Sequence, residues 1–202
     1  LHLLSRRQRQ MCIRDSLLRA FAGECQARMR YEMAAKVAGK NGMAILQDML
    51  YFTANQEKEH AIVFYNYLKD VFKDANVSME ANYPVDLDQD LSSLLEQAAQ
   101  HEYDEATSIY KQFGDEAKEE GYVEIATTFY MICEIEHYHH ERFKKYHNLL
   151  TSGKLFNDQS TVKWMCMNCG FIYEGTDALT ICPVCKHPQG YSLRLDESQF
   201  HL

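Results

Sequence analysis

Proline and glycine are scarce. The 202-residue chain has three prolines and nine glycines, so little interrupts long regular elements. No stretch approaches the roughly 20 consecutive apolar residues of a membrane-spanning helix. The N-terminal region has no apolar core of about 7–15 residues, which disfavours a secretory signal. A basic surface is missing too. Twenty-one lysines and arginines stand against 29 aspartates and glutamates, giving a net charge of −8. No nucleic-acid partner is expected, because phosphate binding needs a basic face. Disulfide-scaffold patterning is also absent. Of seven cysteines, four form two Cys-x-x-Cys pairs near the C-terminus, and Cys12, Cys25 and Cys133 are scattered. That usage suits metal-binding thiolates in a reducing compartment, so a cytoplasmic protein is expected.

The opening "LHLLSRRQRQMCIRDS" carries four arginines and one aspartate. It reads as a non-native or disordered leader, residues 1–16, and is set aside from the fold. From Leu17 apolar and small residues recur at three-to-four-residue steps: Leu17, Phe21, Ala27, Tyr31, Ala34 and Ala38. Asn41-Gly42 stops this first helix. A second runs from about Met43 to Phe72, with Leu46, Leu50, Ala54, Ala61, Phe64 and Leu68 on one stripe. Residues 73–89 lack periodicity and form a connection. Asp90 is a good N-cap for a third helix reaching about Gly121, with Leu91, Leu95, Ala98, Ile109 and Phe113 facing inward. The fourth spans about Tyr122 to Leu150 and is closed by Gly153. Two short links and one long middle link predict two antiparallel hairpins joined by a crossover, a mainly α four-helix bundle over 17–152. Residues 153–162 read as a linker and 163–202 as a small second domain, too small to hold together by apolar burial alone and so stapled by a metal.

Each helix interrupts its apolar stripe at mid-length with a carboxylate: Glu24, Glu57, Glu102 with Glu105, and Glu136. A single inward glutamate ordinarily marks a solvated edge. Five meeting in one core would repel one another prohibitively without cations. Two Glu-x-x-His pairs stand among them, Glu57/His60 and Glu136/His139, and residues three apart on a helix project to the same side. One glutamate from each of two helices, with Glu-x-x-His from each of the other two, is the donor set of a di-iron or di-manganese carboxylate bundle. The spacing repeats, with Glu57 33 residues after Glu24 and Glu136 34 after Glu102, so a pseudo-twofold site with one metal per half is expected. Oxygen-rich donors favour iron or manganese over zinc or copper. Glu105 is either a further ligand or a supporting acid. Tyr31 and Tyr110 lie where they could hydrogen-bond a ligand carboxylate, or simply be core. In "EIEHYHHERF", Glu134, His137 and Glu141 fall outward. Helix angle alone does not choose between His139 and His140, but the matching three-residue step in "EKEH" favours His139.

"CMNC" (Cys166, Cys169) and "CPVC" (Cys182, Cys185) are separated by twelve residues, a strong signal for tetrahedral sulfur ligation. Zinc and a single iron both fit the spacing. Trp164, Phe171 and Tyr173 around the first pair would shield an iron–thiolate centre from water, or form a minimal core. A redox-active carboxylate site needs electrons, which favours an iron carrier on the same chain.

With these residues placed, the chain from Leu17 onward resembles rubrerythrin, on "AFAGECQARMRYE", "NQEKEHA", "EYDEA", "EIEHYHHERF" and the two cysteine knuckles, in that order. The resemblance implies a ferritin-like bundle followed by a rubredoxin-like domain. It implies a non-haem peroxidase reducing hydrogen peroxide to water in oxidative-stress defence. Glu24, Glu57, Glu102, Glu105, Glu136 and His139 match iron ligands, and His60 matches a residue that ligates iron in the reduced state, when that iron leaves Glu105. Cys166, Cys169, Cys182 and Cys185 match the ligands of one further iron. The implied partners are an external electron-donor reductase and a second copy, in a homodimer or larger assembly. Glu105 and His60 then have catalytic roles, supported by Tyr31 and Tyr110. Lys186 departs from the glycine often found after the second knuckle, and Cys25 from the usual serine after Glu24. Two other readings stay open: a ferritin-like ferroxidase, oxidase or iron-handling protein, and a scaffold with a structural zinc ribbon.

Overall fold

A computed structural model describes residues 6–72, 76–80, 83–85 and 90–198. The predicted four-helix architecture followed by a small strand-containing domain is present. Helices α1 (Arg6–Lys40) and α2 (Ala44–Phe72) form the first hairpin. The second hairpin is α3 (Leu91–Asp104), a π-turn (Glu105–Ile109) and α4 (Tyr110–Glu119) against α5 (Val123–Thr151). Gly42 turns the first hairpin with φ +70°, a left-handed conformation that needs no Cβ. Asp90 caps α3, its side chain accepting the Ser93 N–H at 3.0 Å. Among the described residues no helix is long and apolar enough to cross a membrane.

The apolar core is divided in two. One cluster, including Ala27, Ala35, Leu46, Leu50, Leu95 and Phe143, lies toward the α1–α2 turn. The other, including Leu17, Phe64, Tyr110, Phe113, Phe129 and Ile132, lies toward the opposite end. Phe64 and Phe129 are fully buried with ring centroids 5.0 Å apart. Each such side chain contributes roughly 1.5–3 kcal/mol by leaving water. Between the clusters sits the layer of inward carboxylates.

Four expectations need correcting. The segment set aside as a leader is helical from Arg6, and Ile13 and Ser16 are buried, with Ser16 Oγ donating to Glu116 Oε2 at 2.8 Å; residues 1–5 lie outside the described residues. Arg6–Ser16 extends α1 because Ile13 and Leu17, four apart, continue the stripe into the second cluster. The third helix is not continuous. The Tyr110 N–H donates to the Glu105 carbonyl, five residues back, which places one extra residue in that turn. As a result Ile109 is 39% exposed and Tyr110, 2% exposed, takes the inward place. Finally, the second half of the 153–162 linker is strand. There β1 (Asn157–Cys166) pairs with β2 (Ile172–Asp177) and β3 (Ser192–Arg194) in an antiparallel sheet of order β2-β1-β3. Parts of the 73–89 connection (73–75, 81–82, 86–89) and residues 199–202 lie outside the described residues.

Trp164 forms the centre of the small domain, fully buried, its Nε1 donating to the Gly175 carbonyl at 3.1 Å. The domain seats on the end of the bundle. Leu155 joins the first apolar cluster, with Phe156, Met167 and Leu193 packed beside it. Gly190 lies on the α1–α2 turn so closely that a Cβ there would come within 1.8 Å of the Gly42 carbonyl oxygen. Lys145 Nζ reaches Glu197 Oε1 at 2.5 Å across the same junction.

Candidate metal centre

Each of the four long helical segments delivers its mid-length carboxylate to one layer. Glu24 comes from α1, Glu57 and His60 from α2, Glu102 from α3, and Glu136 and His139 from α5. Two overlapping groups result: Glu24, Glu57, His60 and Glu136, and Glu57, Glu102, Glu136 and His139. Within each group one donor atom per residue lies within 4.8 Å of the others.

Glu57 and Glu136 belong to both groups, and their two oxygens are divided between them. His60 Nδ1 is 3.0 Å from Glu57 Oε2 and 3.0 Å from Glu136 Oε1. His139 Nδ1 is 2.9 Å from Glu57 Oε1 and 2.7 Å from Glu136 Oε2. Each carboxylate thus turns one oxygen to either half, the posture of a bridging ligand. The terminal carboxylates stand farther off, Glu24 Oε2 3.7 Å from His60 Nδ1 and Glu102 Oε2 3.5 Å from His139 Nδ1. The two imidazole rings stack at 5.7 Å and 19°.

Burial is nearly complete. Glu24, Glu57, Glu136 and His139 are 0% exposed, Glu102 1% and His60 7%. Their inward-facing oxygens, with Nδ1 of both histidines, lack a hydrogen bond of acceptable geometry. Buried acceptors in this state are costly unless something else engages them. A pair of cations would balance these carboxylates in charge and coordinate the unpartnered oxygens and nitrogens.

The electrostatics agree. Burial, reinforced by Glu136, pushes the Glu24 carboxyl up to about 8. Burial and the neighbouring carboxylates raise Glu102 and Glu105 well above the ordinary range. Burial opposes charge on His139, but Glu102, Glu136 and Glu57 outweigh it and raise the imidazole to about 12. His60 is raised in the same way by Glu136, Glu24 and Glu57. Burial would raise Glu136 too, yet the facing histidines hold it at about 2. Positive charge among these carboxylates, whether carried by histidine protons or by metal ions, is therefore strongly favoured.

The tyrosines cross between hairpins. Tyr31 on α1 donates to Glu102 Oε1 on α3, and Tyr110 on α4 donates to Glu24 Oε1 on α1 at 2.6 Å. Each leaves the other carboxylate oxygen facing the cluster.

Glu105 is not brought into either group. It opens the π-turn, is half-buried, and lines a cavity of about 710 Å³ with His101, Tyr110, Phe113 and Tyr83. The arrangement is therefore the one with His60 in and Glu105 out. His140 is settled by its partner: Nδ1 lies 2.7 Å from the Ala99 carbonyl, away from the cluster. Glu134, His137 and Glu141 are exposed. The residues that sequence reasoning missed are Gln56 and Arg142, which reach the far side of His139. Both lie at the edges of their helix faces, where periodicity is silent.

In the small domain, Cys166, Cys169, Cys182 and Cys185 converge, with Sγ atoms 3.6 Å apart for Cys166–Cys185 and for Cys169–Cys182. The two knuckles are alike in backbone. The Gly170 N–H donates to the Cys166 carbonyl and the Lys186 N–H to the Cys182 carbonyl, with φ +75° at Gly170 and +64° at Lys186. The His187 N–H draws the Cys185 thiol down to about 5, which favours thiolate ligation. Cys25 is exposed and Cys133 half-buried, and neither joins a cluster.

Comparison with known proteins matches this division. The Rubrerythrin family model covers residues 15–147, and the model described as "Rubrerythrin, rubredoxin-like domain" covers 164–191. A rubrerythrin of Clostridium perfringens is 44% identical over 177 residues, spanning 88% of this chain and 91% of that protein. A solved structure of nigerythrin in a mixed-valence state aligns with a TM-score of 0.61 at 23% identity, over 90% of this chain and 86% of that one. The bacterioferritin of Desulfovibrio desulfuricans, described with a diiron site, aligns at 0.66 and 22% identity over 75% and 87%. These structures establish likeness of fold. Carboxylate layer, cysteine knuckles and matched residues together make this chain a member of the rubrerythrin family, with its di-iron site in the bundle and its four-cysteine site in the rubredoxin-like domain.

Proposed function

We propose that this protein is a peroxidase that reduces hydrogen peroxide to water. One peroxide takes up two electrons and two protons and leaves as two waters. The observation that carries the reading is that Glu57 and Glu136 belong to both donor groups, so that two redox ions held there would act together on one substrate. Glu24, Glu57, His60, Glu102, Glu136 and His139 would hold the iron pair, and Cys166, Cys169, Cys182 and Cys185 the single iron. Bound iron would supply Lewis acidity and one-electron steps in the bundle, and one-electron transfer alone at the four-cysteine site.

The chain's own groups do the rest. Burial of the carboxylate layer excludes bulk water from the reacting oxygens. Tyr31 and Tyr110 hold Glu102 and Glu24 in orientation. Glu105, lining the cavity and outside both groups, would carry protons toward the site and, as the family resemblance implies, alternate with His60 as a ligand. Electrons enter through the four-cysteine centre from an external reductase. The use of four cysteines as a metal-ligand group supports a reducing, cytoplasmic setting. Exposed Met131, Ile135 and Tyr138, on successive turns of α5, support assembly as a homodimer or larger oligomer.

The test is anaerobic loading with ferrous iron followed by separate exposure to peroxide and to oxygen. Rapid oxidation by stoichiometric peroxide, with catalytic turnover when a reductant feeds the cysteine centre, is expected. Oxidation by oxygen with peroxide left unconsumed would replace this reading with a ferroxidase or oxidase.

A further inference from the structure

His139 is held from behind as well as from the front. Its Nε2 lies 3.2 Å from Gln56 Oε1, and the same oxygen accepts from Arg142 Nη1 at 2.9 Å. Arg142 Nη1 also donates to Thr53 Oγ1 at 2.9 Å, and the Thr53 hydroxyl donates to the Met49 carbonyl at 3.1 Å. Thr53 is fully buried, and the guanidinium stacks over Phe52 with its carbon 5.0 Å from the ring centroid.

The chemistry of these groups fixes every role in the chain. A guanidinium only donates. Arg142 therefore orients the Gln56 amide with its oxygen toward the histidine. That oxygen only accepts, so His139 must carry a proton on Nε2. In a neutral imidazole this leaves the lone pair on Nδ1, the atom facing Glu57, Glu102 and Glu136.

The other half of the site has no counterpart. The pseudo-twofold partner of Gln56, the residue just before the Glu-x-x-His glutamate, is Ile135. Isoleucine cannot accept a hydrogen bond. Among the described residues no hydrogen bond engages the second nitrogen of His60, whose Nδ1 faces Glu57 and Glu136.

We infer that Gln56 and Arg142 are positioning residues which lock His139 as an Nδ1 ligand, so that the metal position of Glu57, Glu102, Glu136 and His139 is the firmly held one and the position bearing His60 the labile one. This rests on the reading of the two groups as metal sites.

The experiment uses full-length protein loaded anaerobically with ferrous iron and challenged with a ferrous chelator, the cysteine-bound iron being followed by its own absorption. Wild type should release its bundle iron in a fast and a slow phase. Gln56→Leu and Arg142→Leu should accelerate the slow phase about 10–100-fold, the usual consequence of losing a partner to a ligating histidine, and leave the fast phase unchanged. Gln56→Glu, whose carboxylate accepts from both neighbours, should keep the slow phase. In the cobalt(II)-loaded protein a paramagnetically shifted, slowly exchanging imidazole N–H signal should be present in wild type and Gln56→Glu and lost in Gln56→Leu. Unchanged release in both leucine variants, or equal acceleration of both phases, overturns the inference. Should a leucine variant not fold, Gln56→Glu and Arg142→Lys decide: a fast, single-phase release from Gln56→Glu also overturns it. A wild-type bundle that takes up no iron removes the underlying metal reading, and this inference with it.

Discussion

Tyr110 on α4 donates its hydroxyl to Glu24 on α1 across 2.6 Å, in full burial. Tyr31, on the same helix as Glu24, instead serves Glu102 of the other hairpin. Each terminal carboxylate is thereby oriented by the half of the bundle to which it does not belong. The two hairpins are tied together through the site itself.

Tyr110→Phe should keep the ring contacts with Phe64 and Phe129, at 5.7 and 5.9 Å, and leave Glu24 Oε1 without its donor. A buried acceptor so orphaned costs about 1–3 kcal/mol. Metal affinity of the His60 half should fall about 10–100-fold with little change in helix content, as read by metal titration and circular dichroism.

Glu57→Gln removes one shared oxygen from each half. Both bundle metals should be lost, while the cysteine-bound metal stays, in elemental analysis of the purified protein. The metal-free variant should be less stable than metal-free wild type, because Glu57 is the anion that faces both histidines, at 3.0 and 2.9 Å.

The metal-free protein should lose stability as pH rises. Glu24 is raised from 4.5 to about 8, so its contribution is complete below 4.5 and lost as pH climbs toward 8. His139, raised from 6.5 to about 12, adds a loss that begins above 6.5 and continues upward. Glu136, lowered from 4.5 to about 2, acts oppositely: its contribution is complete above 4.5 and lost as pH falls toward 2. Melting temperature should therefore decline from about pH 5 to 8 in the metal-free form. Metal loading should flatten that decline and release protons. A decline equally steep with and without metal contradicts this assignment.

Lys186→Gly should stabilise the small domain. Lys186 holds φ +64° with a Cβ present, whereas its counterpart is Gly170. Relief of left-handed strain is worth about 1–2 kcal/mol, less the loss of the exposed Lys186 Nζ hydrogen bond to the Pro183 carbonyl. Denaturant-induced loss of the cysteine-centre absorption should shift to higher concentration.

Gly190→Ala should unseat the small domain from the bundle, since the new Cβ would lie 1.8 Å from the Gly42 carbonyl oxygen. Limited proteolysis near residues 152–157 should accelerate, while both metal centres keep their metals.

Much of this was legible in the chain because burial leaves a period. The inward stripe of α2, from Leu50 through Glu57, His60 and Phe64 to Leu68, is buried at every member, and three-residue steps put Glu57/His60 and Glu136/His139 on common faces. What periodicity cannot register is a change of period. The wide turn at Glu105–Ile109 has no compositional mark, so Ile109 was assigned the inward place that Tyr110 occupies. Pairing across helices is equally silent. Tyr31 and Tyr110 stood out as candidates, but the crossing of each to the opposite hairpin needed three dimensions. Gln56 and Arg142 looked like ordinary edge residues because their partners are 83 to 86 positions distant. Arg6–Ser16 is hard to read for another reason: its charge dominates its composition, while Ile13 and Ser16 are buried.

The wide turn makes this site a matter of length as well as identity. One additional residue rotates the rest of that helix by about 100° relative to an uninterrupted one, and only after that rotation does Tyr110 meet Glu24. A chain with every ligand in place but one residue fewer between Glu102 and Tyr110 would spell the same motifs and present Glu24 with a different neighbour. Inheritance of the centre thus runs through a count that no ligand motif records.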